Sequence, residues 1–316
     1  MTETTASPCR VCAQPAVRQL GAYALCQRHY DLATRERPHV WRAQAIAVAI
    51  LVALVVVATV IGTVAGRSLA GLPLLVIGLV IAVVPAVVWM VLFYREDRVE
   101  PEPRTYVLGV AALGALLASG VGIPFLNNVL AIGSWSGDSV IVQLAASILG
   151  IGLVEAALVY AAVRVSVYGT SEFDEATDGV IYGTAAGLGY ATVLNIALIL
   201  DSGGAALSYG TISVVLTSLI LAGAGGIVGH FLSGQKLRGR PVWWSAAGVL
   251  VAAVLLGGYA TIRSVVSAGT ASVAGILVGP WVGLVIAIIL AAAVYAVLTR
   301  IVRQEIARAS TAGGAQ

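Results

Sequence analysis

Long apolar runs separated by short polar breaks occupy most of this chain, and the runs are too long for the core helices of a water-soluble domain. Eight of them, at 44–66, 72–94, 105–131, 139–168, 177–200, 208–233, 242–264 and 272–299, reach helix-spanning length. A helix needs roughly 20 residues to cross about 30 Å of hydrocarbon. The pattern predicts an all-α polytopic membrane protein with about eight transmembrane helices. Residues 1–43 break it, being polar and mixed and lacking the long apolar core of a cleavable signal, so the first span is expected to act as its own insertion signal. Three segments follow: a small module at 1–43, a transmembrane domain at 44–302 and a polar tail at 303–316.

Composition agrees, with 59% hydrophobic and only 10% charged residues, where a soluble domain carries about 25% charged. Charge adds an orientation. Of the 18 lysines and arginines, only Arg67 and Arg263 fall on one side of the predicted bundle, leaving sixteen on the side of the two termini. Cytoplasmic loops hold such an excess, so both termini are expected in the cytoplasm and the chain in the plasma membrane of a prokaryote. The net charge of +3 then reports topology and gives no reason to expect a nucleic-acid partner. The lipid bilayer is the implied surroundings.

The module holds all three cysteines. Cys9-x2-Cys12 and Cys26-x2-His29 form two ligand pairs separated by thirteen residues, enough chain for a hairpin. Three thiolates and one imidazole at this spacing make the closed tetrahedral set of a structural zinc site. A disulfide framework would leave one cysteine over, and the predicted topology puts all three in a reducing compartment. The module is therefore read as zinc-ribbon-like, with zinc as its cofactor and docking to a protein partner as its use.

Inside the apolar runs one carboxylate stands out. Glu155 lies well within the fourth span, where a charged side chain costs about 2.5–3.5 kcal/mol on insertion scales. Such a residue is kept where it faces a partner helix, a cavity or a catalytic ion, and a protonated packing acid is the competing reading.

Three stretches together resemble a known family. Asp97-Arg98-Val99-Glu100-Pro101-Glu102-Pro103-Arg104 is similar to a juxtamembrane Asp-Arg-x-Glu-Pro-Glu-Pro motif, Phe173-Asp174 to a Phe-Asp loop, and Asp178-Gly179-Val180-Ile181-Tyr182-Gly183 to a glycine-rich Asp-Gly-x-x-Tyr-Gly helix. All three belong to the PrsW family of intramembrane metalloproteases, and the resemblance covers about residues 88–235. It implies a helical membrane fold, peptide hydrolysis and a catalytic metal. The family's metal-site motifs are a paired Glu-Glu with a lysine a turn later, an aromatic-x-x-x-Glu, and a histidine on a later span.

This chain departs from all three. Glu155 retains one glutamate of the pair, between Val154 and Ala156, and the lysine is gone; Tyr190 keeps the aromatic of the second motif, but Leu194 stands where its glutamate would be. No histidine occurs from Ser213 to Gly229, and Thr217 falls near the expected position when Gly225 and Gly229 are matched to the family's trailing glycines. His230 lies about three turns farther on, at an interface position. Catalytic candidacy is thus left to Glu155 alone. The expectation is a pseudoprotease that binds a transmembrane partner, with a cleft lined by Gly183, Gly187, Gly225 and Gly229 admitting the partner helix. The alternative is an active metalloprotease with rearranged ligands, whose partner would be a substrate.

Overall fold

The computed structural model describes residues 8–9, 12, 14–20, 23–34, 40–65, 71–94, 102–136, 139–201, 207–267, 272–273 and 276–277, together with 289, 293, 296 and 300. Asp97 to Pro101 of the juxtamembrane motif and the tail at 303–316 lie outside the described residues.

In the module, β1 (Arg18–Leu20) pairs antiparallel with β2 (Tyr23–Leu25). Pro8 and Pro15 bridge the loop before the hairpin, and the Cys9 amide donates to the Gln14 carbonyl at 2.6 Å. Helix α1 (Gln27–Thr34) starts directly after Cys26. Leu25, Cys9 and Cys26 are buried together under Tyr30.

Seven described helical segments are long and apolar enough to cross a membrane. They are α2 (Val40–Ala65), α3 (Leu72–Tyr94), a third span from Arg104 to Leu130, a fourth from Val140 to Ser166, α8 (Ala176–Asp201), α9 (Leu207–Leu237) and α10 (Trp243–Ser267). Helix α2 starts a few residues before the predicted boundary, and α3 runs through Pro85 without ending. Most of the predicted eighth span lies outside the described residues. At its expected start stands a short hairpin, β3 (Ser272–Val273) with β4 (Ile276–Leu277), while Ile289, Ala293, Ala296 and Arg300 are helical.

Spans three and four are not uniform. The third is α4 (Arg104–Leu117) followed by π-helical turns at Ala118–Gly122 and Phe125–Leu130, and it leads into the short α5 (Ile132–Trp135) through Ala131 at φ 43°. The fourth is α6 (Val140–Ala146), a π-helical segment Ser147–Gly152, and α7 (Leu153–Ser166). Each π turn carries an extra residue and so re-aims the side chains that follow, which is why such turns gather at functional sites.

Burial identifies the centre. Within its apolar window α9 is 78% buried and α8 61%, against 17% for α2, so the bundle is built around the α8–α9 pair. Helices α4 and α3 pack on α8, while α10 and α2 pack on α9. Glycine at i, i+4 spacing makes one smooth helix face. A Cβ at Gly179, Gly183 or Gly187 of α8 would fall on the backbone of Gly229, Gly225 or Leu221 of α9, and Gly225 and Gly229 meet α8 in the same way. The expected partner cleft at Gly183, Gly187, Gly225 and Gly229 is therefore corrected: these glycines form a closed seam inside the chain. Gly183→Val should lower the melting temperature of the detergent-purified protein, since overpacking costs about 1–3 kcal/mol. An unchanged melting curve would mean that the seam opens readily.

A second close approach places α10 against span four, where a Cβ at Gly152 would fall on the Ala253 carbonyl and one at Gly257 on the backbone of Ile148. Near the ends of these helices Gln143 Nε2 donates to Ser264 Oγ at 2.6 Å. This pairing brings Tyr259 and Arg263 of α10 toward the helix that carries Glu155.

Candidate functional sites in the module and the membrane bundle

The four predicted metal ligands come together. The ligand atoms of Cys9, Cys12, Cys26 and His29 all lie within 4.8 Å of one another. His29 Nδ1 is 3.2 Å from Cys26 Sγ and 3.6 Å from Cys9 Sγ, and Cys12 Sγ is 3.7 Å from Cys26 Sγ. Around zinc, Zn–S bonds of about 2.3 Å and Zn–N bonds of about 2.0–2.1 Å put tetrahedral ligand atoms roughly 3.5–3.8 Å apart, so the spacing suits one ion. None of the three cysteines is in a disulfide. The geometry has a local cause: Cys9 and Cys12 sit on the loop tied by the Cys9–Gln14 hydrogen bond, while Cys26 and His29 open the helix that follows the hairpin.

In the bundle, a cavity of about 280 Å³ lies between the π-helical turns of span three and helices α7, α8, α9 and α10. Glu155, Leu194 and Thr217, the residues that the motif resemblance sets at or near the three expected positions, all line it. Three helices thus converge where the sequence comparison of motifs placed a shared site. Glu155 sits on the first turn of α7, just after the π segment, and is only 7% exposed. The Thr217 hydroxyl bonds that of Tyr259 at 3.2 Å. Arg263, one turn beyond Tyr259, and Asp201, the last residue of α8, also line the cavity. His230 is absent from its lining; thirteen residues along α9 from Thr217, it is about 20 Å away at 1.5 Å per residue.

Sequence reasoning missed a polar cluster at the other end of α8. Glu102 and Asp178 are both buried. The Tyr182 hydroxyl donates to Glu102 Oε2, and the Tyr94 hydroxyl donates to the Glu102 carbonyl at 2.7 Å. Asp178 Oδ2 accepts from the Glu175 and Asp174 amides at 2.5 and 2.8 Å, satisfying donors that the start of a helix leaves open. Phe173 is wholly buried and stacks near Tyr182, with ring centroids 6.3 Å apart. Motif residues from two distant stretches therefore clamp the start of span three to the start of span five. The signal available was an acid in one motif and a tyrosine in the other, both beside apolar spans.

Fold and cavity together define a polytopic membrane protein with a small, partly open cavity among its central helices, preceded by a module with a metal-ligand cluster. The description "PrsW family intramembrane metalloprotease" matches residues 102–294. The chain is 30% identical over 190 residues to "Protease PrsW" of Bacillus subtilis (strain 168), covering 58% of this chain and 82% of that relative. It is 34% identical over 122 residues to "Protease PrsW" of Geobacillus kaustophilus (strain HTA426), covering 38% of this chain and 51% of that relative. No solved structure matches. The chain belongs to the PrsW family.

The family description implies a catalytic metal, and the cavity's donors do not fit one. A catalytic zinc takes three protein ligands and keeps one open position. Here the described lining offers the carboxylates of Glu155 and Asp201, the Asn127 amide, the hydroxyls of Thr217 and Tyr259, and the Arg263 guanidinium, but no imidazole or thiolate. Among the described residues, the one grouping of three or more histidines, cysteines or acids that suits a metal ion is that of the module.

Proposed function

We propose that this protein is a pseudoprotease of the PrsW family, one that binds a transmembrane partner without cutting it by a metal mechanism. The observation supporting this reading is the donor set of the cavity: leucine and threonine occupy two of three converging positions, and Arg263 adds a positive charge to the same lining. Guanidinium has no lone pair to offer a metal and opposes the approach of one. Glu155 is then a hydrogen-bonding group in the cavity wall. Because the glycine seam is closed, the partner helix packs on the outside of the bundle. The Cys9, Cys12, Cys26 and His29 cluster holds a structural zinc that folds the module as a docking element.

Candidate membrane substrates incubated with the purified protein should remain intact. Cleavage that stops with a chelator and with Glu155→Gln would overturn the pseudoprotease reading in favour of an active metalloprotease. Glu155→Gln should leave partner association nearly unchanged, as the amide keeps a hydrogen-bonding group in the wall.

The orientation we propose puts both termini in the cytoplasm of a prokaryotic cell, on the partition of basic residues. Ser134 and Arg240 are exposed at opposite ends of the bundle. In intact cells an impermeant thiol reagent should label Ser134→Cys and spare Arg240→Cys. The reverse pattern would invert the topology.

A further inference from the structure

Glu155 and Arg263 line the same cavity, yet they form no ion pair, and neither makes a hydrogen bond to a described residue. For Glu155 this is unusual, because the residue is more than nine-tenths buried, a buried carboxyl without a hydrogen bond is costly, and what acts on it is the more distant charge of Arg263. The neighbouring hydroxyls do not relieve it: Thr217 and Tyr259 bond each other, Tyr259 also reaches the Ser213 carbonyl at 3.3 Å, and the buried Tyr190 hydroxyl makes no hydrogen bond. An acid at the buried end and a cation one turn beyond Tyr259 are thus left facing a shared space with apolar walls such as Leu194 and Leu256.

We propose that this cavity is a binding site for a small zwitterion of α-amino-acid type, its ammonium group held by Glu155, its carboxylate by Arg263 and its apolar side chain against the leucine walls. Size selects the class. Pockets for drug-sized ligands run to about 300–1,000 Å³, and a helix is about 10 Å across, so a cavity of about 280 Å³ admits a single amino acid and excludes a partner helix. Charge selects it further. A simple anion would satisfy Arg263 and set a negative charge toward Glu155, while a simple cation would do the reverse. A molecule with both ends meets both residues, and guanidinium matches a carboxylate with two parallel hydrogen bonds. Arg263 and Asp201, both in the lining, are both exposed near the ends of α10 and α8; of the two, Arg263 carries the charge that matches a carboxylate, while Asp201 keeps its hydration. This assignment goes beyond the pseudoprotease reading and does not rest on it.

The test uses the full chain in lipid nanodiscs and isothermal titration with L-leucine, with leucinamide, which lacks the carboxylate, and with 4-methylpentanoate, which lacks the ammonium. Glycine and L-phenylalanine serve as size controls. Expected are binding of an amino acid and at least tenfold weaker binding of both single-ended analogues. Arg263→Gln should erase the preference for leucine over leucinamide, and Glu155→Gln the preference over 4-methylpentanoate. Ala197→Phe, at an apolar lining position, should abolish binding with both charges intact. Should a variant aggregate, the ligand series on the unaltered protein decides alone. Equal affinity for all three compounds, or no heat from any of the three amino acids, overturns the proposal.

Discussion

Cys26→Ser should empty the amino-terminal module of metal, taking the purified chain from about one bound zinc to none, while the membrane bundle keeps its melting temperature. Two features of the module make the effect all-or-none. Among the described residues its buried apolar content, apart from the cysteines, is Leu25 beneath Tyr30, far too little to offset the entropy of ordering some 25 residues at about 1–2 kcal/mol each. Structural zinc supplies about 10–16 kcal/mol in comparable small domains, so folding and metal binding are one event. Cys26 is also central to the cluster, lying within 3.7 Å of both the Cys12 thiol and the His29 ring. Loss of the module's amide protection in hydrogen exchange should accompany loss of metal. One zinc per chain persisting in Cys26→Ser would place a metal elsewhere, and its further loss with Glu155→Gln would locate it in the membrane cavity and sink the pseudoprotease reading.

How far the sequence could be read depended on whether a feature is local. Span-length apolar runs report themselves, because each helix satisfies its own backbone in lipid, and the ligand pairs at Cys9/Cys12 and Cys26/His29 each sit on one turn. The glycines were seen and misassigned for a physical reason. A small-residue face invites close approach, but its spacing is the same whether the approaching helix is α9 or another chain. The π-helical turns at Ala118–Gly122, Phe125–Leu130 and Ser147–Gly152 left no trace in the apolar pattern, and the second and third supply Leu126, Asn127 and Ile151 to the cavity wall. Arg263 was visible only as one of two basic residues on the minority side of the topology. That exception was the available hint that it serves the cavity wall. Glu102 and Asp178 were legible as charges and not as buried groups, since burial depends on how span three meets span five.

Leu194→Glu combined with Thr217→His should raise zinc content from about one to about two per chain. Both positions line the cavity that Glu155 also faces, so the double variant adds a carboxylate and an imidazole to Glu155 and the exposed Asp201, the ligand types of catalytic zinc sites. The cost is a further carboxylate within the apolar span, about 2.5–3.5 kcal/mol on insertion scales, and loss of the Thr217 bond to Tyr259. Bound metal offsets both, so the variant should melt lower than the parent protein without zinc and recover when zinc is added. Adding Arg263→Gln removes the guanidinium that opposes a divalent ion and should tighten the second site. A folded double variant that still carries one zinc, with or without Arg263→Gln, would show that Glu155, Leu194 and Thr217 share a cavity without aiming at a common point. The residue-by-residue match to the family's ligand positions would then be wrong, and the donor-set argument for a pseudoprotease would lose its footing.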